Sequence, residues 1–270
     1  MKKRSLILML IAAISIPVSA LSETSKTEDT EVKKADNKTQ ELDQVLAKYY
    51  KAIGGLEKWE KLNTMVMKGI MNSQGTAMPI TAYHERPNKC RVEFRIKDTM
   101  MAQIFDGDLA WQINPLSGNP EPAPMTAGRS NYMRDTCGIE NSLINYKEKG
   151  YEVNLLGKEK SADRNYYKIN IKYQSKNVET YYINAETFLI DKSVGIYNMD
   201  GNEIRTTTNF SEYRNTNGYV VPYKLIIEIH GAPGEERLNI NKFIFNIKVD
   251  PQIFEFPKDK VINVEQLKKK

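Results

Sequence analysis

The residue types that most often perform chemistry in proteins are few and scattered in this sequence. The only histidines are His84 and His230, and the only cysteines are Cys90 and Cys137. The sequence contains no Gly-x-Ser-x-Gly elbow, His-Glu-x-x-His helix, Gly-rich phosphate loop or Cys-x-x-Cys pair. Its carboxylates are not arranged as the acid/base couple of a glycosidase. We therefore predict no catalytic residues and a protein that is not an enzyme.

Two further patterns could suggest a metal site, but each has a simpler structural interpretation. The histidines lie in strand-like runs, and only Glu228 would share a strand face with a nearby histidine, His230. The segments Asp106-Gly107-Asp108 and Asp200-Gly201-Asn202 lack the other ligands of a calcium loop and are typical of tight turns. We predict solvent-facing histidines, including His84, with no metal site and no cofactor.

The two cysteines leave two interpretations open. Cys90 begins a strand-like run, and Cys137 precedes a segment with a helical pattern. In an oxidising compartment the pair could form a disulfide, and otherwise both would be buried thiols. The sequence does not supply the geometry that decides between these alternatives.

The N-terminal segment has the features of an export signal. A basic start at residues 2–4 precedes an apolar run at 6–16, and the small residues of 18–20 fit a cleavage site. Residues 1–20 are therefore predicted to be a cleaved signal peptide, with Leu21 as the mature N-terminus. No other apolar run approaches the roughly 18 residues that span a bilayer, so we expect an exported, soluble protein.

The rest of the chain is predicted to comprise a linker, one domain and a tail. Residues 21–40 contain almost no aliphatic side chains, which is typical of a flexible linker. The domain would span residues 41–262, followed by a basic tail at 263–270. Removal of the signal peptide lowers the formal net charge from +5 to +2. A charge this close to balance argues against nucleic-acid binding, which needs a concentrated basic face.

The pattern within the domain predicts one helix followed mainly by strands. Apolar side chains recur at helical spacing from about residue 41 until Gly54-Gly55 ends the helix. From residue 63 apolar and polar side chains alternate, and tight turns separate the runs, which favours antiparallel pairing. The predicted fold is mainly β with α: a strongly curled antiparallel sheet of ten or eleven strands, an incomplete β-barrel covered by helices. Residues 114–125 are predicted to be a proline-rich loop and residues 138–149 a helix.

Apolar side chains of the alternating strands would point to the concave side of this sheet. A curled sheet of this size can enclose a ligand cavity, although an ordinary packed core would produce the same pattern. The side chains predicted to contact a hydrophobic ligand are Val92, Phe94, Ile96, Ile169, Ile171, Leu225 and Ile227.

Landmarks along the domain occur in a characteristic order. They are YKAIGGLEKW at 50–59, RPNKCR at 86–91 before an alternating strand, FDGDLAW at 105–111 before the prolines, VPYK at 221–224 and VDPQIFEFP at 249–257. Together they resemble the LolA/LolB-like outer-membrane lipoprotein-sorting protein superfamily, in its broader periplasmic branch.

This resemblance implies an incomplete β-barrel closed on one side by helices, and a periplasmic carrier rather than an enzyme. Its concave face would bind acyl chains of lipoproteins or other lipids, received from a membrane-bound donor and passed to an acceptor at the outer membrane. Either Arg86 or Arg91 would correspond to the arginine that controls a lid in the core group. We expect a monomer.

Two other classes of function remain open at this point. The protein could be an envelope structural or protein-binding module in which the apolar strand faces form a plain core. A periplasmic hydrolase has less support, because it would need a convergent polar cluster in the cavity, and the sequence shows none.

Overall fold

The computed structural model describes residues 37–257. The predicted signal peptide, the linker up to residue 36 and the chain beyond residue 257, including the basic tail, lie outside the described residues. The chain forms two compact units, Met1–Glu41 and Leu42–Lys270. The described part of the first unit, residues 37–41, is helical. The predicted domain boundaries remain predictions.

Within residues 37–257 the helices are few. Helix α1 covers residues 37–52, so its first four described residues lie in the segment predicted to be a linker. Its buried apolar face ends at Gly54 and Gly55, whose positive φ angles favour glycine. Helix α2 spans Leu56–Glu60 and helix α3 spans Ala127–Thr136. None of the helices within residues 37–257 is both long and apolar enough to cross a membrane.

Most of the described chain belongs to one antiparallel sheet. Its strands are β1 Thr64–Ser73, β2 Thr76–Glu85, β3 Lys89–Ile96, β4 Thr99–Phe105, β5 Ala110–Asn114, β6 Asn119–Pro124, β7 Glu152–Ser161, β8 Arg164–Lys172, β9 Val178–Asn184, β10 Ile190–Met199, β11 Asn202–Thr216, β12 Tyr219–Ile229 and β13 Glu236–Phe245. Their order is β6-β5-β4-β3-β2-β1-β13-β12-β11-β10-β9-β8-β7. The thirteen strands exceed the ten or eleven predicted.

The sheet is curled and open between its two edges. Helix α3 contacts β4 and β5 in one half of the sheet and β10 in the other half. Residues 137–150, which we call the crossing segment, follow α3. The predicted fold class, a curled antiparallel sheet that does not close into a barrel, is confirmed.

The helix predicted at 138–149 is wrong, because this part of the crossing segment consists of bends and turns. The Asn141 side chain accepts a hydrogen bond from the Leu143 backbone N–H at 2.9 Å, and Asn145 has a φ of +54°. Both features compete with helical hydrogen bonding. The helix lies instead at α3, which directly precedes this segment.

The proline-rich segment is also more regular than predicted. Residues Pro115–Ser117 form a 3₁₀ turn, and the prolines that follow lie in β6. Strand β6 is an edge strand that pairs only with β5 within the described sheet. An edge strand tolerates proline because the missing N–H donor faces away from the ladder, so the prediction of a loop was wrong.

The two cysteines form a disulfide in the structure and are not free thiols. Cys90 on β3 is bonded to Cys137 at the start of the crossing segment, with a Cα–Cα distance of 5.6 Å. The bond is buried beside Phe105 and Met133. It therefore fastens one end of the crossing segment to the sheet.

The sheet face opposite the concave side has its own apolar cluster. Trp111 and Ile104 pack there against Phe254, which has no exposed surface. The Trp111 indole N–H donates a hydrogen bond of 3.1 Å to the Phe254 carbonyl oxygen. The C-terminal residues 249–256 thus cover the outside of the sheet.

Trp111→Phe is expected to destabilise the protein. The substitution leaves the buried Phe254 carbonyl without its donor, which costs about 1–3 kcal/mol. Urea unfolding of the variant and of the wild type measures this loss. An unchanged free energy of unfolding would contradict a stabilising role for this hydrogen bond.

Candidate functional site

The concave side of the sheet encloses a cavity of about 440 Å³. Its walls come from α1, α2, α3, the crossing segment, β1 and β9–β13. The cavity exists because the sheet curls too widely for side chains to fill it completely. Apolar and polar side chains occupy different parts of its wall.

Strands β11, β12, β13 and β1 supply the apolar part. Phe210 on β11 is paired directly with Leu225 on β12, and Thr208 is paired with Ile227. Directly opposite residues in an antiparallel pair share a face, so Leu225 and Ile227 point into the cavity together. The other apolar side chains here include Met65, Met67, Ile240 and Phe243.

The structure separates the predicted ligand-contacting residues into three groups. Leu225 and Ile227 line the cavity. Ile169 and Ile171 are fully buried in the main core, with no exposed surface. The residues of the third group lie on β3 and are partly exposed: Val92, Phe94 and Ile96. Val92 and Phe94 pack against the edge of the main core, outside the cavity wall. Ligand contact by all seven residues remains a prediction.

A row of polar side chains crosses the neighbouring part of the wall. Tyr181 on β9 is paired with Ser193 on β10, and Ser193 is paired with Thr208 on β11. A parallel row joins Glu179, Gly195 and Thr206. We call the side chains of these two rows the polar patch: Glu179, Tyr181, Ser193, Thr206 and Thr208. The patch borders Ile227 and thus adjoins the apolar wall.

Gly195 gives the polar patch space for an aromatic ring. A Cβ atom at Gly195 would meet the Tyr197 ring within 2.3–2.5 Å, so this ring lies over the glycine. Tyr197 is 4% exposed and lines the cavity. Burial, and secondarily the neighbouring Glu179, raise the pKa of Tyr197 above its usual range. Tyr197 therefore stays a neutral phenol.

Two carboxylates converge at this end of the cavity. One oxygen of Glu179 accepts hydrogen bonds from the hydroxyls of Tyr173 at 2.7 Å and Tyr181 at 2.8 Å. Asp135 at the end of α3 accepts one from the Asn177 side chain at 2.7 Å. Burial raises the pKa of Asp135, although its hydrogen bonds oppose this shift. Both carboxylates line the cavity.

The polar patch was missed by sequence reasoning, which found no convergent polar cluster. Its members come from three strands and stand at single alternating positions within each. The sequence offered one signal for the patch. Glu179 is a carboxylate between Tyr173 and Tyr181, and it stands at a position of β9 whose side chain faces the core. Only the strand register shows that these side chains meet.

The histidines contribute no site. His230 is exposed as predicted, but His84 is half-buried, which corrects its assignment to a solvent face. The His84 Nδ1 lies 3.2 Å from the carbonyl oxygen of Cys137, and burial lowers the pKa of its ring. Within residues 37–257, His, Cys, Asp and Glu form no group of three or more that could hold a metal ion.

The two candidate lid arginines lie on different faces of the sheet. Arg86 forms an ion pair of 2.8 Å with Glu140 of the crossing segment and donates hydrogen bonds to the carbonyls of Trp59 and Leu62. Arg91 contacts Glu93 at 2.7 Å and donates to a backbone carbonyl on the outer face. Only Arg86, of the two, contacts a residue of the cavity wall.

Comparison with known proteins shows the fold. No protein-family model and no curated protein sequence matches this chain. A LolA superfamily protein from Nitrosomonas europaea is similar at a TM-score of 0.50 and 17% identity, covering 76% of this chain and 97% of that one. A DUF1329 family protein from Desulfovibrio piger is similar at a TM-score of 0.54 and 14% identity, covering 78% of this chain and 97% of that one.

An outer-membrane lipoprotein-sorting protein domain from Vibrio parahaemolyticus gives a TM-score of 0.52 and 14% identity, covering 83% of this chain and 97% of that one. All three identities are low, so the likeness concerns architecture. The chain has the fold of these proteins, and the structural resemblance predicted from its sequence landmarks is confirmed.

Proposed function

We propose that this protein is a periplasmic carrier that binds acyl chains of lipoproteins or other lipids in its concave cavity and moves them towards the outer membrane. The observation that carries this proposal is the cavity of about 440 Å³ with an apolar wall around Leu225 and Ile227. Small-molecule sites commonly have volumes of about 300–1,000 Å³. The Vibrio lipoprotein-sorting domain of similar fold supports a lipoprotein cargo.

The physical chemistry of the wall suits reversible binding. Removing a lipid chain from water is favourable by about 0.8 kcal/mol for each buried methylene. Association and chain ordering oppose this gain, so the net affinity is moderate. A carrier needs such a balance, because it must release the chain to its acceptor without covalent chemistry.

Catalysis has weaker support than binding. The residues that line the cavity include no histidine, cysteine, lysine or arginine, so Ser193 has no imidazole beside it as a general base. The polar patch meets the requirement for a convergent cluster but not for an activated nucleophile. We therefore propose a binding protein without catalytic residues, metal or cofactor.

The proposed cellular setting follows the sequence predictions. The predicted signal peptide and the similar fold of a lipoprotein-sorting domain support a periplasmic setting. We further propose a monomer with membrane-bound donor and acceptor partners and no nucleic acid. The crossing segment supplies a cavity wall from Gly138 to Ser142. We propose that it acts as the lid and that Arg86 is the arginine that holds it.

Contact quenching of tryptophan tests the carrier function. Trp59 lines the cavity, and Trp111, the only other tryptophan of the sequence, lies on the outer face. A brominated monoacylglycerol, which is uncharged, should quench Trp59 saturably in delipidated Trp111→Phe protein, with a Kd on the order of 1 μM. The matched Trp59→Phe protein, which retains Trp111, should show no saturable quenching. Absence of saturable quenching in the first variant would contradict the proposal and favour a plain core.

A further inference from the structure

The carboxylates at the polar end of the cavity are not neutralised by cationic side chains. Glu140, the third carboxylate of the wall, is ion-paired with Arg86 and Lys149. Asp135 and Glu179 have no ion pair with any residue of the described range 37–257, and their hydrogen-bond donors are neutral hydroxyl and amide groups. Asp135 is 4% exposed and Glu179 9% exposed. Buried carboxylates are ordinarily paired with a positive charge.

Two hydroxyls at the same place also face the cavity. Ser193 and Tyr197 are each more than nine-tenths buried as residues and line the cavity, and neither hydroxyl forms a hydrogen bond with another residue of the range 37–257. Hydroxyl groups that line a cavity can donate and accept hydrogen bonds of a bound ligand. Their position next to Glu179 in the register of β9 and β10 adds polar groups that a ligand headgroup can contact.

Aromatic rings complete this end of the cavity. The rings of Tyr132 on α3 and Tyr197 on β10 meet edge to face, with centroids 4.9 Å apart, and Tyr181 lies beside them on β9. An ammonium group is attracted to the face of an aromatic ring, and the attraction increases when water is excluded. Carboxylates, free hydroxyls and tyrosine rings together favour a cation with N–H donors.

From this arrangement we infer that the polar end of the cavity binds a positively charged amine, so that the preferred cargo is an amphiphile with an amino headgroup and an aliphatic chain. The amine would lie between Asp135 and Glu179, and its chain would extend along Leu225 and Ile227. This inference rests on the proposed carrier function and specifies its ligand class. An anionic headgroup would be repelled by the same carboxylates.

A headgroup series with one chain length tests the inference in the Trp111→Phe protein. Dodecylamine, dodecanol and dodecanoate would each displace the brominated monoacylglycerol at pH 7, with recovery of Trp59 emission as the readout. We expect dodecylamine to bind about tenfold more tightly than dodecanol, a difference of about 1.4 kcal/mol. Dodecanoate should bind more weakly than dodecanol.

Charge removal at the site supplies the second comparison. Glu179→Gln and Asp135→Asn keep the side-chain size, and each should reduce the ratio of amine to alcohol affinity. Glu203→Gln is the matched control, because Glu203 is an exposed carboxylate on β11 and should leave the ratio unchanged.

The possible outcomes separate the two proposals. If dodecanol binds but dodecylamine binds no better, the amine site is wrong and the carrier function stands. The same conclusion follows if both cavity variants keep the wild-type ratio. If none of the three chains binds, the carrier function fails and the amine site fails with it. Because the headgroup series in the Trp111→Phe protein can overturn the inference by itself, the test does not depend on the folding of Glu179→Gln or Asp135→Asn.

Discussion

Leu225→Asp is expected to weaken binding of an uncharged acyl chain by about 100-fold, or about 2.7 kcal/mol, with the protein still folded. Leu225 is half-buried in the cavity wall, so the new carboxylate can be hydrated while the cavity is empty. A bound chain removes that water, and an unpaired charge in an apolar environment costs several kcal/mol. Quenching of Trp59 by brominated monoacylglycerol measures the affinity, and urea unfolding measures the stability.

Two variants control for general effects of this substitution. Leu156→Asp introduces the same charge on β7 at a side chain that is 53% exposed, and it should leave both affinity and stability close to wild type. Phe94→Ala tests the predicted ligand contact on β3: a loss of affinity would support it, whereas a loss of stability alone would indicate packing. Wild-type affinity in Leu225→Asp would show that the cavity is not the binding site.

The sheet was predictable because local signals specify it. Alternation of apolar and polar side chains, as in 164–172, identifies a strand and its buried face from consecutive residues. Turns such as Asn217-Gly218, where both residues have positive φ, specify antiparallel neighbours. Because successive strands pair in an antiparallel manner, the order of most strands can be predicted without knowledge of long-range contacts.

The path of the crossing segment over the concave side could not be predicted from local sequence signals. The segment 138–149 has apolar residues at helical spacing, and Ile139, Leu143 and Ile144 are indeed buried. Its asparagines nevertheless favour turns, and its position depends on the disulfide at Cys137. Helix α3 was missed because Gly128, Ser130 and Asn131 are weak helix formers, and packing against β5 and β10 overrides that propensity.

The site shows the same division. Leu225 and Ile227 stand at alternate positions along their strand, so the sequence predicted that their side chains face the concave side of the sheet. The polar patch depends on the register of β9, β10 and β11, which aligns Glu179 with Gly195 and Tyr181 with Ser193. A sequence pattern does not contain that register, and Asp135 reaches the patch only through the placement of α3.

Arg86→Met is expected to destabilise the protein by about 1–3 kcal/mol, because it removes one of two counter-ions of a buried carboxylate and the donor of two backbone carbonyls. Glu140 has a side chain that is 2% exposed, and in this variant it would keep only Lys149 as a counter-ion. The carbonyls of Trp59 and Leu62 would also lose their donor. Urea unfolding of Arg86→Met, Glu140→Leu and the double variant measures these terms.

The double variant measures the interaction free energy between Arg86 and Glu140. If Arg86 and Glu140 stabilise each other, the double variant should lose less free energy of unfolding than the two single variants lose together. The expected difference is about 0.5–3 kcal/mol. Removing both charges leaves Lys149, whose side chain is 26% exposed and can reach solvent. Strict additivity would show that the ion pair contributes nothing beyond the separate contacts.

The same variants test whether the crossing segment controls ligand release. Loss of the Arg86 contact frees one of several attachments of this segment, which also include the disulfide at Cys137 and a hydrogen bond from the Tyr50 hydroxyl to the Leu143 carbonyl. We expect Arg86→Met to increase the dissociation rate of brominated monoacylglycerol, measured by recovery of Trp59 emission after dilution. Arg91→Met is the matched control, since its guanidinium contacts Glu93 and Ile253 on the outer face. Equal release rates in the two variants would leave Arg86 as a residue that stabilises the fold and would remove it as the arginine that holds the lid.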